Sequence, residues 1–232
     1  MPKGYLVLEN GTIFKEQGRA LNEAAARDVL VFVVGNPCNT NCLIAMHNAP
    51  DLPKENFHAM TRLDQNRAAS MLAKKANVPV LDVADMAIWG NHSTTQVPDY
   101  LNAKIGKKPL MGVIKDLHWL QNDFIQSVRN RGASVIKLRG KSSAASATQA
   151  IIDAIKDLAL PLEGKWFSSA ICSDSNPYGI KADLIFSFPC AYKNGKLEIV
   201  KNLHLDSFLL ENIKLSEKEL VEEKDQIRHL LK

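Results

Sequence analysis

The chain has 232 residues, 46% hydrophobic and 23% charged, with a formal net charge of +4. That hydrophobic share can fill a core and excludes a disordered chain. Its Lys and Arg residues are dispersed and its aromatics few, which argues against nucleic acid, and no run of about 18 apolar residues offers a membrane span.

Residues 11–27 are predicted helical, with Ile13, Phe14, Gln17, Leu21 and Ala24 along one side. Val29 to Val34 is a continuous apolar run closed by Gly35-Asn36-Pro37, the pattern of a strand buried on both faces. Helix followed by buried strand is the alternation of a doubly wound α/β sheet. A short helix is predicted from Thr40 to Asn48, then a turn over Ala49 to Pro53, then helix from Lys54 to Ala76 interrupted near Thr61. Val78 to Ile88 reads as a β-rich return. Helices are predicted over Leu117–Arg131 and Ser143–Leu160. Strands follow at Trp166–Cys172, Asp183–Phe188 and Leu197–Val200, with Asn194-Gly195 as a hairpin turn. Ser216-x-x-Glu219 matches a capping box and predicts the start of a charged C-terminal helix. The expected fold is therefore α/β plus α+β. Residues 1–48 read as a remnant of an α/β unit and residues 49–232 as an attached α+β unit.

Cys38, Cys42, Cys172 and Cys190 form no Cys-x-x-Cys pair, and a chain of this length needs no staples. Cys38, Cys42 and His47 suggest zinc, but no second pair has metal-ligand spacing, so no metal is expected. Buried free thiols in a reducing compartment fit better. The N-terminal residues lack the apolar segment of a signal peptide, and a cytoplasmic location is expected by default.

Three side chains combine into a recognisable chemistry. Oxidising a 2-hydroxy acid needs a base for the hydroxyl proton, and imidazole titrates near working pH. A carboxylate beside it fixes the tautomer and stabilises the imidazolium. A substrate carboxylate calls for the planar fork of arginine. His92, Asp64 and Arg67 fit these parts. Asp64 and Arg67 share one helix face at a spacing of three, and His92 follows the apolar run Met86–Trp89 in a loop. The same spacing also describes a solvated surface ion pair, and a loop histidine is also ordinary polar surface.

Larger stretches bear on that choice. Gly35-Asn36-Pro37-Cys38-Asn39-Thr40-Asn41, Thr61-Arg62-Leu63-Asp64-Gln65-Asn66-Arg67-Ala68 and Ile88-Trp89-Gly90-Asn91-His92-Ser93 together resemble malate dehydrogenases of the cytosolic type, bacterial members included. Arg131–Ile136, Ser142–Ala147 and Asp174–Gly179 match as well, and the likeness runs from about Asn10 almost to the C-terminus. The resemblance implies the C-terminal part of a Rossmann NAD-binding domain followed by the catalytic domain of the lactate/malate dehydrogenase fold. It implies NAD as cofactor, a small dicarboxylate (malate or oxaloacetate) as substrate, and a homodimer whose contact faces include Gln17–Ala26 and Ser143–Leu160.

Residue by residue, the resemblance makes His92 the proton acceptor, Asp64 its orienting partner and Arg67 the grip on the carboxylate at the reacting end. Asn36 matches an asparagine that contacts substrate near the nicotinamide. Asn10 and Gln17 match residues lining the cleft, Val34 and Gly35 match backbone contacts to the nicotinamide side, and Ser146 lies near that end.

No Gly-x-Gly-x-x-Gly occurs in the sequence, so the phosphate-cradling turn of the family has no match here. Of the two arginines on the family's mobile loop, the earlier has no counterpart and the later falls near Lys3. The expectation is a chain with a truncated start, weakly active or inactive alone, with an incompletely paired Val29–Val34 strand and either poor solubility or dependence on a partner chain. Two other readings remain from the sequence: a non-catalytic binding or assembly module derived from the catalytic half, and a dehydrogenase for another 2-hydroxy acid.

Overall fold

The computed structural model describes residues 3–231, with residues 3–9 by backbone alone. The side chain of Lys3, matched above to a loop arginine, lies outside the described residues. Helix α1 spans Lys3–Ala24 and packs along α2, Cys38–His47. The crossing is close: a Cβ on Gly18 would come within 2.5 Å of the Ala45 carbonyl oxygen, so only hydrogen fits there.

Strand β1 is shorter than the apolar run suggested, Val31–Val33. It pairs in parallel with β2, Phe57–Ala59, through Val31↔Phe57 and Val33↔Ala59. Only Val33 is buried, while Val31 and Phe32 are half-buried and Leu30 exposed. The expected strand buried on both faces is thus corrected to the outer strand of its sheet, in keeping with the expected incomplete pairing. The expected helix from Lys54 is corrected too. A 3-10 turn at Lys54–Asn56 leads into β2, and the helix proper, α3, is Arg62–Ala76. Phe57, His58 and Ala59 are all buried, so sheet pairing fixes a segment whose local pattern is uninformative.

After α3 come short strands β3 (Val83–Ala84), β4 (Ile88–Trp89), β5 (Val97–Pro98), β6 (Lys104–Ile105) and β7 (Lys108–Pro109). The turn α4 (Leu110–Val113) precedes a helical run made of α5 (Leu117–Trp119), a π-turn at Leu120–Phe124 and α6 (Ile125–Arg139). Helix α7 is Ala145–Ala159. Strands β8 (Phe167–Cys172), β9 (Ile185–Lys193) and β10 (Lys196–Ile199) are antiparallel, and β8 joins β2 at Ala59↔Ala170. The result is one five-stranded sheet in the order β1-β2-β8-β9-β10. Asn194 and Gly195 both take positive φ, 53° and 73°, which two-residue hairpin turns of this hand require.

Helix α8 runs from Ser207 to Gln226, with the Asp206 side chain accepting from the Leu209 N–H at 2.8 Å as its cap. The capping-box reading of Ser216 and Glu219 is therefore corrected: both sit in the middle of this helix, and Ser216 is buried. One core cluster gathers Trp89, Tyr100, Phe124, Phe186 and Phe188; a second gathers α2 with Val33, Phe57 and Ala170. The four cysteines carry free thiols, Cys172 half-buried and the others buried.

Candidate active site

Three pieces of chain meet where β1 ends. The first is the start of α3. Thr61 precedes the helix, and its hydroxyl lies 2.8 Å from that of Ser187, which in turn donates to the Ile88 carbonyl at 2.7 Å. This pins the helix start against β4 and β9. Asp64 falls in the first turn, where the helix dipole favours a carboxylate, and Arg67 follows on the same face.

The second piece is the loop after β4. Gly90 exchanges two backbone hydrogen bonds with Ser187, at 3.0 and 2.9 Å, so the loop leaves directly from the sheet. At φ +93° Gly90 occupies a region that L-residues with a side chain rarely adopt, and a Cβ there would lie 2.2 Å from Ser216 Oγ. This is a physical reason for glycine in the Trp89-Gly90-Asn91-His92 stretch. The third piece is the first turn of α2. Asn39 is fully buried; its Oδ1 accepts from the His92 N–H at 3.0 Å and its Nδ2 donates to the Ile185 carbonyl at 2.9 Å.

These anchors bring His92 Nδ1 into a hydrogen bond with Asp64 Oδ2, while Asp64 Oδ1 faces Arg67 Nη1 at 3.5 Å. Asp64 is fully buried; His92 and Arg67 are each half-buried. The side chains predicted to cooperate therefore share one cluster. Burial alone would push the His92 pKa down, but the charge of Asp64 and its hydrogen bond outweigh that, even against Arg67, and the net shift is upward. Burial lowers the Arg67 pKa, Asp64 opposes this and Arg131 reinforces it. A guanidinium stays cationic at neutral pH regardless. With Nδ1 held by Asp64, the other ring nitrogen, Nε2, is the one available to a ligand.

The remaining predicted residues divide. Asn10 Nδ2 donates to the Asn36 carbonyl at 2.6 Å, which ties α1 to the turn after β1. Val34 is half-buried and Gly35 and Asn36 exposed at the carboxyl end of β1. Gln17 is exposed on α1, two turns beyond Asn10. Ser146 is exposed on α7 and lines a groove of about 1260 Å³ that also takes in Arg67 and Arg131. It is Ser143 that meets the guanidinium, Arg67 Nη2 donating to its Oγ at 3.4 Å. Gly132 borders the same group: a Cβ there would stand 3.9 Å from Arg67 Nη1. Sequence reading singled out neither Ser143 nor Gly132, although both lie inside quoted stretches.

Two family models match the chain. Residues 1–58 match the lactate/malate dehydrogenase NAD binding domain, and residues 61–231 match the lactate/malate dehydrogenase alpha/beta C-terminal domain. The chain belongs to the lactate/malate dehydrogenase family. A malate dehydrogenase of Protochlamydia amoebophila is 57% identical over 234 residues, an alignment covering 100% of this chain and 71% of the relative. Among solved structures, malate dehydrogenase from Naegleria fowleri superposes with TM-score 0.92 at 44% identity, covering 100% of this chain and 71% of that one. Trichomonas vaginalis lactate dehydrogenase, solved with NADH and oxamate, superposes with TM-score 0.90 at 37% identity, covering 99% and 72%.

Ligands of open α/β sheets sit beyond the carboxyl ends of the strands, and Val34-Gly35-Asn36 follows directly on β1. Gly35 and Asn36 are exposed there, so a ligand can approach their backbone. No Gly-x-Gly-x-x-Gly turn for a pyrophosphate occurs in the sequence.

Proposed function

We propose that this protein is an NAD-dependent malate dehydrogenase, interconverting (S)-malate and oxaloacetate. The single observation that carries the reading is the His92–Asp64 hydrogen bond beside the Arg67 guanidinium. Arg67 is assigned the substrate carboxylate next to the reacting carbon, where two N–H groups match two oxygens. His92 Nε2 is assigned the hydroxyl proton of malate. Asp64 then stabilises the resulting imidazolium and stays ionised itself. Bound NAD supplies the hydride acceptor, with Asn10, Gln17, Val34, Gly35, Asn36 and Ser146 assigned to its nicotinamide side and Asn36 also to substrate. In the reverse direction His92 must begin protonated, and its raised pKa serves that direction.

The family likeness supports a homodimer. The exposed Ile152 and Ile155 on α7 suit a face covered by a second copy. A cytoplasmic location is kept as part of the same reading. A second reading, a lactate dehydrogenase, is favoured by the match to the Trichomonas chain, and substrate choice separates the two.

The test follows NADH oxidation by the purified chain with oxaloacetate or pyruvate, beside His92→Asn. Weak oxaloacetate turnover, exceeding that with pyruvate and lost in His92→Asn, is expected. Preference for pyruvate would move the assignment to lactate. Equal rates in wild type and His92→Asn would overturn the mechanism.

A further inference from the structure

Helix α8 begins 115 residues after His92 in sequence, yet it holds the loop that carries it. Glu219 Oε2 accepts from Asn91 Nδ2 at 2.9 Å and from Thr95 Oγ1 at 2.6 Å, and it also accepts from Ser93 Oγ. One turn on, Glu223 Oε1 accepts from Asn91 Nδ2 at 3.1 Å, and its Oε2 accepts from Thr40 Oγ1 on α2. One turn before, Ser216 Oγ accepts from the Asn91 backbone N–H at 2.8 Å. Residues 216, 219 and 223 thus form a stripe on one helix face. The far end of the loop is braced from α6, where Arg129 Nε donates to the Gln96 carbonyl at 2.8 Å and Nη2 to Asn212 Oδ1 at 2.9 Å.

Acidic residues on a charged helix are ordinarily solvated. Glu223 is only 3% exposed, and Glu219 concentrates three loop donors on one oxygen. A carboxylate in that setting needs its donors, and a loop held by charge-assisted bonds is stiffer than one held by neutral ones. The residues on both sides of His92, Asn91 and Ser93, are the ones bound. We propose that Glu219, with Glu223 and Ser216, is a positioning residue that aims the His92 imidazole at Asp64 and at the substrate. The inference rests on the reading of His92 as the proton carrier. Glu219 touches no substrate in this account; it acts through the loop.

The test uses the full chain with labelled histidine imidazoles, titrated by NMR in wild type and Glu219→Gln, with folding checked by circular dichroism. The amide keeps the shape of the carboxylate and can leave one neutral oxygen toward Asn91, Ser93 and Thr95, but it removes the charge that strengthens those three bonds. The His92 midpoint is expected to fall toward that of an ordinary imidazole as its bond to Asp64 loosens, while the buried His58 keeps its own titration. For oxaloacetate reduction, kcat is expected to fall about 100-fold, the scale of a misaimed catalytic group. KM should stay within about threefold, because Arg67 sits on a different element. Should Glu219→Gln fail to fold, the pair Ser93→Ala and Thr95→Ala removes two donors and must lower the same midpoint. An unmoved His92 titration in a folded variant overturns the proposal. A lowered midpoint in a chain that never reduces oxaloacetate supports the clamp and overturns only the dehydrogenase reading.

Discussion

Gly90→Ala puts the packing between α8 and the His92 loop under direct test. The substitution forces an L-residue to φ +93°, which costs about 1 kcal/mol. The new methyl also meets Ser216 Oγ at 2.2 Å and Ser216 Cβ at 2.6 Å, and Ser216 is fully buried in mid-helix. Either α8 shifts or the Ser216 hydroxyl turns away and leaves the Asn91 N–H without its partner, a loss of about 1–3 kcal/mol. The combined cost is about 2–4 kcal/mol, a large share of the roughly 5–15 kcal/mol that holds a typical domain. Urea unfolding followed by tryptophan fluorescence measures it. The cause is isolated by a cycle with Ser216→Gly, which clears the space: in that background Gly90→Ala should cost only the backbone strain, about 1 kcal/mol. Equal costs in the two backgrounds would refute the steric argument.

Two further outcomes follow. Burial lowers the His58 pKa to about 4, so the folded chain holds this ring neutral where the unfolded chain, titrating near 6.5, takes up a proton. The unfolded state therefore binds more protons between those values, and His58 destabilises the fold as pH falls through that window, by up to roughly 3 kcal/mol. Unfolding midpoints for wild type and His58→Gln measured from pH 7 to pH 4 should diverge, the variant losing less; parallel curves would rule this out. Replacing Arg67 by Lys should lower kcat/KM for oxaloacetate by about 100-fold or more, because an ammonium cannot offer two parallel N–H groups to one carboxylate. Steady-state kinetics decide, and a change under threefold would remove Arg67 from the site.

What the sequence disclosed depends on the length over which a signal accumulates. Helix α7 carries several turns of periodic apolar residues, the run from Trp119 to Val128 leads another into α6, and strands β8 and β9 carry runs long enough to recognise. Three-residue β2 has no room for a period, and its pairing with β1 and β8 is a tertiary fact. The run Val29–Val34 showed apolar content but not which neighbours the strand finds. His92, Asp64 and Arg67 were legible because the chemistry dictates residue types and two of them share a helix face. The supports of His92 were not. Asn39 lay unremarked inside a quoted stretch, and Ser216 with Glu219 imitated a helix start because Ser and Glu three apart satisfy a capping box and a loop clamp equally well. Only the fold distinguishes these uses.

The pH dependence of oxaloacetate reduction in wild type and Asp64→Asn tests the central couple most directly. Reduction needs a protonated His92, so kcat/KM should fall as pH rises through the His92 pKa, which Asp64 holds above the ordinary imidazole value. Asp64→Asn should move that fall to lower pH and cut the maximal rate by about 10⁴-fold, as expected when the orienting carboxylate is lost. A variant with the wild-type midpoint and rate would contradict the account.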